Sequence, residues 1–169
     1  MKSKKIPIKR APSTYVHLCQ DEKELRKNVS LEHSWAELEF DQIPQGLSPV
    51  GITISNTNPD TVHIYMILDL PRRIRKETIA HEALHATNCI LRWRICGSME
   101  RHRILIICNQ HRVKDLLPGL VVNIQGIDEE DQALLVGEIS YAIDEALRDQ
   151  VYQALQVERE GHGEETTEA

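Results

Sequence analysis

TIAHEALHAT, Thr78–Thr87, carries two histidines four residues apart with a glutamate directly after the first. From Pro71 onward, Ile74, Ile79, Ala83, Leu84, Ala86 and Ile90 recur at helical spacing up to Gly97. A proline is tolerated in the first turn of a helix and a glycine suits its end, so the spacing predicts a helix between them. On that helix residues i and i+4 lie about 40° apart, one turn above the other. His81 and His85 can therefore aim imidazole nitrogens at one point about 2 Å from each, as tetrahedral Zn²⁺ requires. Glu82 is about 100° round from His81. It is too far to share that coordination easily, but it stands beside the open position. There it can take a proton from a water that the metal acidifies, acting as general base and then as shuttle. Between Ile79 and Asn88 the only other charged or titratable residues are the two histidines. A solvated helix rarely looks like that; the plain alternative is two satisfied histidines on a partly buried helix.

Upstream, the chain reads as strands. Thr14–Cys19 alternates, Asp21–Asn28 has helical character, and Ser34–Phe40 alternates again. Val50, Ile52 and Ile54 alternate with Gly51, Thr53 and Ser55, then NTNPD (Asn56–Asp60) signals a turn, and Val62–Leu70 gives a fourth strand. Antiparallel pairing of the last two through that turn is the expected local topology. Downstream, Ser98–Leu117 is ambiguous, since its ILII core suits a strand or a buried helical turn. Pro118-Gly119 breaks it. Asp128 is a good N-cap for a final helix to about Val157. The expectation is an α+β domain. A small, mainly antiparallel sheet of about four strands (residues 14–70) precedes the HExxH helix and a long C-terminal helix.

At 169 residues the chain fits one domain of common size, here 14–157. Residues 1–13 read as a flexible basic arm through Lys2, Lys4, Lys5, Lys9 and Arg10, and 158–169 as a flexible acidic tail. One Phe and two Trp leave an aliphatic core. Cys19, Cys89, Cys96 and Cys108 form no CxxC pair, which points to free thiols in a reducing compartment. No apolar segment follows the basic start and no run approaches the length of a membrane span, so the expectation is a cytoplasmic protein without a membrane partner. The net charge of −6 argues against nucleic-acid binding in bulk.

Through TIAHEALHAT the chain resembles the zincin metallopeptidases, whose shared element is an HExxH helix packed under a small sheet. Within that group it is most similar to the minimal, single-domain gluzincin-like proteins of phage and prophage genomes, over residues 14–157. The resemblance implies Zn²⁺ as cofactor, His81 and His85 as ligands, Glu82 as catalytic base, and a protein or peptide as substrate. A third ligand must come from elsewhere. Cys89 is i+8 from His81, about 12 Å along the helix, and cannot share the ion. The extended metzincin pattern fails because its glycine and third histidine would fall on Asn88 and Leu91. The gluzincin likeness implies a glutamate on a downstream helix, and GEISYAIDEAL offers Glu138, with Tyr141 and Ala142 beside it. The Tyr-Ala order departs from the Ala-Tyr of the likeness. Glu145 is a further carboxylate, and His102 or His111 would give the three-histidine arrangement of SprT-like proteins. Tyr141 is a candidate oxyanion donor, or a plain residue at the core edge. Val62–Asp69, leading into the helix, is the candidate strand for pairing with an extended substrate.

Two other classes compete with the peptidase. One is a non-catalytic zinc-binding protein of phage type that acts through a host protein partner. The other is nucleic-acid association through Arg72, Arg73, Arg75, Lys76, Arg92, Arg94, Arg101 and Arg103, although such runs are usually solvated faces.

Overall fold

The computed structural model of the chain describes residues 1–34, 40, 43, 45–97, 102–109, 112–115 and 129–161, with backbone alone over 102–109, 112–115, 129–131 and 150–161. The elements in order are β1 (Lys2–Ile6), β2 (Ser13–Cys19), α1 (Glu22–Glu32), β3 (Ser48–Thr57), β4 (Asp60–Ile67), α2 (Arg72–Cys96), β5 (His102–Asn109), β6 (Arg112–Asp115) and α3 (Glu129–Gly161). The fold is α+β, with a mixed sheet and three helices, the last of them long.

Strand order is β1-β2-β4-β3-β5-β6. β3 and β4 pair antiparallel across the Asn58-Pro59 turn, as the NTNPD signal predicts. The sheet differs from the expected one in two ways. It is mixed, because β2 runs parallel to β4, with α1 and β3 forming the connection between them. It is also wider than residues 14–70. The stretch expected as a basic arm supplies β1, which pairs with β2 and buries Ile6, while lysines on its exposed positions protect a sheet edge. Lys4 Nζ also meets Asp149 Oδ2 of α3 at 2.7 Å. At the other end the ambiguous ILII segment is strand β5. Val62–Asp69 offers no free edge, since β4 lies between β2 and β3; among the described residues the outer strands are β1 and β6. The strand expected over Ser34–Phe40 falls on residues 35–39, outside the described ones.

Alternation along the strands sends apolar side chains to both faces. On one face Val16, Leu18, Val62, Ile64 and Met66 pack against Ile79, Ala83, Ala86 and Ile90 of α2 and Leu135, Ile139 and Ile143 of α3. On the other, Ile52, Ile54, Tyr65 and Ile67 pack against Leu25 and Val29 of α1. Each fully buried aliphatic chain contributes about 1.5–3 kcal/mol. Asp21 caps α1 by accepting from the Glu24 N–H. α2 starts directly after Pro71, which is its N-cap rather than its first helical residue. It ends at Gly97, whose φ of 71° is the left-handed conformation that glycine adopts without strain.

Candidate functional site

α2 lies across β3, and that strand is apolar on only one side. Ile52 and Ile54 face α1, while Gly51, Thr53 and Ser55 face α2. Into this lining of small and polar side chains α2 directs Glu82. Its relative exposure is 0 %, and Thr53 Oγ1 donates to its Oε2. A Cβ on residue 51 would fall inside 3.0 Å of Glu82 Oε1 and 3.2 Å from Cδ, closer than side chains pack. Gly51 has ordinary backbone angles, so it is glycine for space and not for conformation. His81 is half-buried and His85 is buried, with ring centroids 6.2 Å apart and planes at 80°. An ion about 2 Å from one nitrogen of each ring sets the centroids roughly 5–6 Å apart, so the pair is close to that spacing. The Nδ1 atoms of both rings and Oε1 of Glu82 are buried. The donor chemistry therefore suits zinc, and the i, i+4 spacing brings His81 and His85 together as the sequence predicts.

The expected third ligand is not brought to them. Glu138, Tyr141 and Glu145 lie on exposed positions of α3, with Tyr141 67 % exposed. His81, His85 and Glu138 do not form a group with ligand atoms within 4.8 Å of one another. α3 instead meets α2 through the buried side of its stripe and through Gln132 Nε2, which donates to Asn88 Oδ1 at 3.0 Å. His102 pairs in register with Ser55 at the start of β5, and its side chain lies outside the described ones. His111 lies outside the described residues altogether. Cys89 is a core residue whose thiol packs by Ser55, and burial pushes it up to about 11. Several basic residues are engaged by the chain itself. Arg73 pairs with Glu77, Arg75 donates to the Leu70 carbonyl, and Arg94 donates to the carbonyls of Lys9 and Arg10.

The face of the sheet away from α2 holds a second polar constellation. His17 Nε2 and His63 Nδ1 face each other at 2.9 Å. Behind them, Ser3 Oγ is 2.8 Å from His17 Nδ1, and Thr61 Oγ1 is 3.0 Å from His63 Nε2. Tyr65, fully buried, donates its hydroxyl to Glu32 Oε2 at 2.6 Å and lies 2.9 Å from His33 Nε2. Burial, opposed by Glu32, pulls the His17 imidazolium down to about 4. Burial, with the neighbouring His33 and His17, pulls His63 down to about 3. Burial lowers His33 as well. Burial and the bond to Glu32 raise the Tyr65 phenol, so it remains a donor. His17, Glu32 and His63 offer ligand atoms within 4.8 Å of one another, the one such three-residue group among the described residues. The sequence carries a signal for it: Tyr-x-His at 15–17 and His-x-Tyr at 63–65 place like residues on one face of two strands. Parallel pairing of β2 with β4 sets Tyr15 beside His63 and His17 beside Tyr65.

No protein-family model matches the chain, and no curated protein or solved structure matches it at a significant level.

Proposed function

We propose that the chain is a zinc-dependent hydrolase of the metallopeptidase type, acting on protein or peptide substrates in a cytoplasm, with His81 and His85 holding the metal and Glu82 as general base. The observation that carries this reading is Glu82 itself. Burying a carboxylate costs several kcal/mol unless it is well paired, and β3 gives up three apolar positions (Gly51, Thr53, Ser55) where it faces α2. A helix that only needed to pack would carry an aliphatic residue there. Zinc held by the two imidazoles would supply Lewis-acid polarisation of a water and a carbonyl. Glu82 would receive a proton at Oε1, while Thr53 fixes Oε2 and so sets the carboxylate's orientation. An extended substrate would add to a sheet edge. Of the two outer strands, β6 lies beside α2, and β1 is tied to α3 through Lys4 and Asp149.

A second reading is a non-catalytic zinc-binding protein that works through a protein partner. One experiment separates them. Full-length chain and its Glu82→Gln variant are loaded with Zn²⁺ and given unfolded casein. A base worth about 10²–10⁴ in rate predicts loss of cleavage by that factor with zinc retained at His81 and His85. Equal cleavage by both proteins, or no zinc bound through these histidines, would overturn the peptidase reading. Zinc bound through them with no cleavage by either protein leaves the partner-binding protein.

A further inference from the structure

We propose that His17, Glu32 and His63 form a second divalent-metal site, of the zinc class, on the face of the sheet opposite the HExxH helix. The donor set is right in type, two imidazoles and one carboxylate, with Glu32 at the exposed side of the group. The two facing nitrogens are 2.9 Å apart. A tetrahedral ion with bonds of about 2.0–2.1 Å needs them about 3.3 Å apart, so the rings separate by only a few tenths of an ångström.

A second layer of polar groups stands behind the ligands. A metal-binding imidazole usually donates its other N–H to a fixed acceptor, and a ligating carboxylate is itself held. All three ligands have such a partner. His17 Nδ1 faces the Ser3 hydroxyl, His63 Nε2 faces the Thr61 hydroxyl, and Glu32 Oε2 accepts from Tyr65. Hydroxyls suit this position because they donate or accept as required. Glu32 also ends α1, where the helix macrodipole favours a cation.

The proton inventory closes. Without metal, two neutral arrangements satisfy these groups: the proton between the rings sits on His17 Nε2, with Ser3 donating to His17 Nδ1 and His63 Nε2–H donating to Thr61, or on His63 Nδ1, with Thr61 donating to His63 Nε2 and His17 Nδ1–H donating to Ser3. With metal, both facing nitrogens present lone pairs. His17 then carries its proton on Nδ1 and donates to Ser3, and His63 carries its proton on Nε2 and donates to Thr61. The two imidazoles hold two protons before and after. Binding therefore switches the tautomer of whichever ring bridged the facing nitrogens, without releasing an imidazole proton.

The site is separate from His81 and His85, so it is tested with those removed. Full-length His81→Ala/His85→Ala protein, freed of metal, is dialysed against Zn²⁺, and Co²⁺ absorption reports coordination. The expected result is one ion per chain, tetrahedral by Co²⁺, with affinity reduced at least tenfold by Glu32→Gln and abolished by His63→Ala. Imidazole ¹⁵N spectra of the parent double variant follow the same titration, so the answer does not depend on whether the further variants fold. Zn²⁺ should shift His17 Nε2 and His63 Nδ1, clear the proton from between them, and leave the rings protonated on His17 Nδ1 and His63 Nε2. No uptake by the double variant, or uptake that leaves both nitrogens and the tautomer unchanged, would overturn the proposal.

Discussion

Gly51 is the most direct lever on the candidate site, because its missing Cβ is the space the Glu82 carboxylate occupies. In Gly51→Ala the new methyl group falls inside 3.0 Å of Oε1, 3.2 Å from Cδ and 3.1 Å from Thr78 Cγ2, against an ordinary contact of 3.4 Å or more. The backbone cannot yield easily, since residue 51 sits in a strand paired on both sides. The carboxylate must withdraw, straining its bond from Thr53 at a buried position. Overpacking of this kind costs about 1–3 kcal/mol, and loss of a hydrogen bond to a charged group costs about 1.5–3 kcal/mol. We therefore expect destabilisation of about 2–4 kcal/mol from Gly51→Ala. In a Glu82→Ala background the main clash is gone. There the same substitution should cost well under 1 kcal/mol, since alanine in a strand interior is otherwise preferred to glycine by about 0.5–1 kcal/mol and only the Thr78 methyl remains in the way. Urea unfolding of the four proteins closes the double-mutant cycle, with a coupling of about 1–3 kcal/mol. If Gly51→Ala costs the same in both backgrounds, the carboxylate is not where β3 makes room for it, and the argument from Glu82 fails.

Three further outcomes are expected. Tyr65→Phe removes the donor to Glu32 and leaves His33 Nε2 facing a ring edge inside the core, and should cost about 2–3 kcal/mol in urea unfolding of metal-free protein; an effect below about 0.5 kcal/mol would show that the network contributes little. Gly97→Ala forces a methyl-bearing residue into the left-handed cap of α2 at φ 71° and should lower stability by about 1 kcal/mol, read as a shift of the urea midpoint at unchanged slope. Among the described cysteines, Cys96 is exposed, whereas Cys19 and Cys89 are buried with thiols pushed up to about 11. At pH 8 only about one in a thousand of such thiols is thiolate. Alkylation followed by peptide mass mapping should label Cys96 first, and equal labelling of Cys89 would contradict its place under β3.

The helices and the β3–β4 hairpin were legible because their determinants are local. They rest on a 3.6-residue period between Pro71 and Gly97, an Asp cap at residue 21, and a turn-rich NTNPD between two alternating runs. β1 was not legible, since Lys2–Ile6 is strand only through pairing with β2, and charge without that pairing looks like a mobile arm. The parallel contact of β2 with β4 spans some forty residues of chain and leaves no local mark. The exposed face given to Glu138 was likewise a packing outcome. The stripe Leu135, Ile139, Ile143 and Ala146 turns inward as a unit, and residue 138 is one step round from it.

The same sheet therefore divides two histidine pairs and two carboxylates between its faces, and this changes how metal content must be read. One zinc per chain, measured on the whole protein, would support either face equally. Zinc that survives His81→Ala/His85→Ala would not show that the HExxH helix is ordinary, because His17 and His63 remain. Zinc lost from that variant on purification leaves its uptake on dialysis as the test of the second site. Only substitutions on both faces, measured singly and together, assign the ion. The two sites also make opposite demands on the fold. The α2 face holds a carboxylate in a cradle that only glycine leaves open, so its signature is coupling between residues 51 and 82. The α1 face holds imidazoles in a network that is satisfied without metal, so its signature is a proton that leaves the facing nitrogens of His17 and His63 when metal enters.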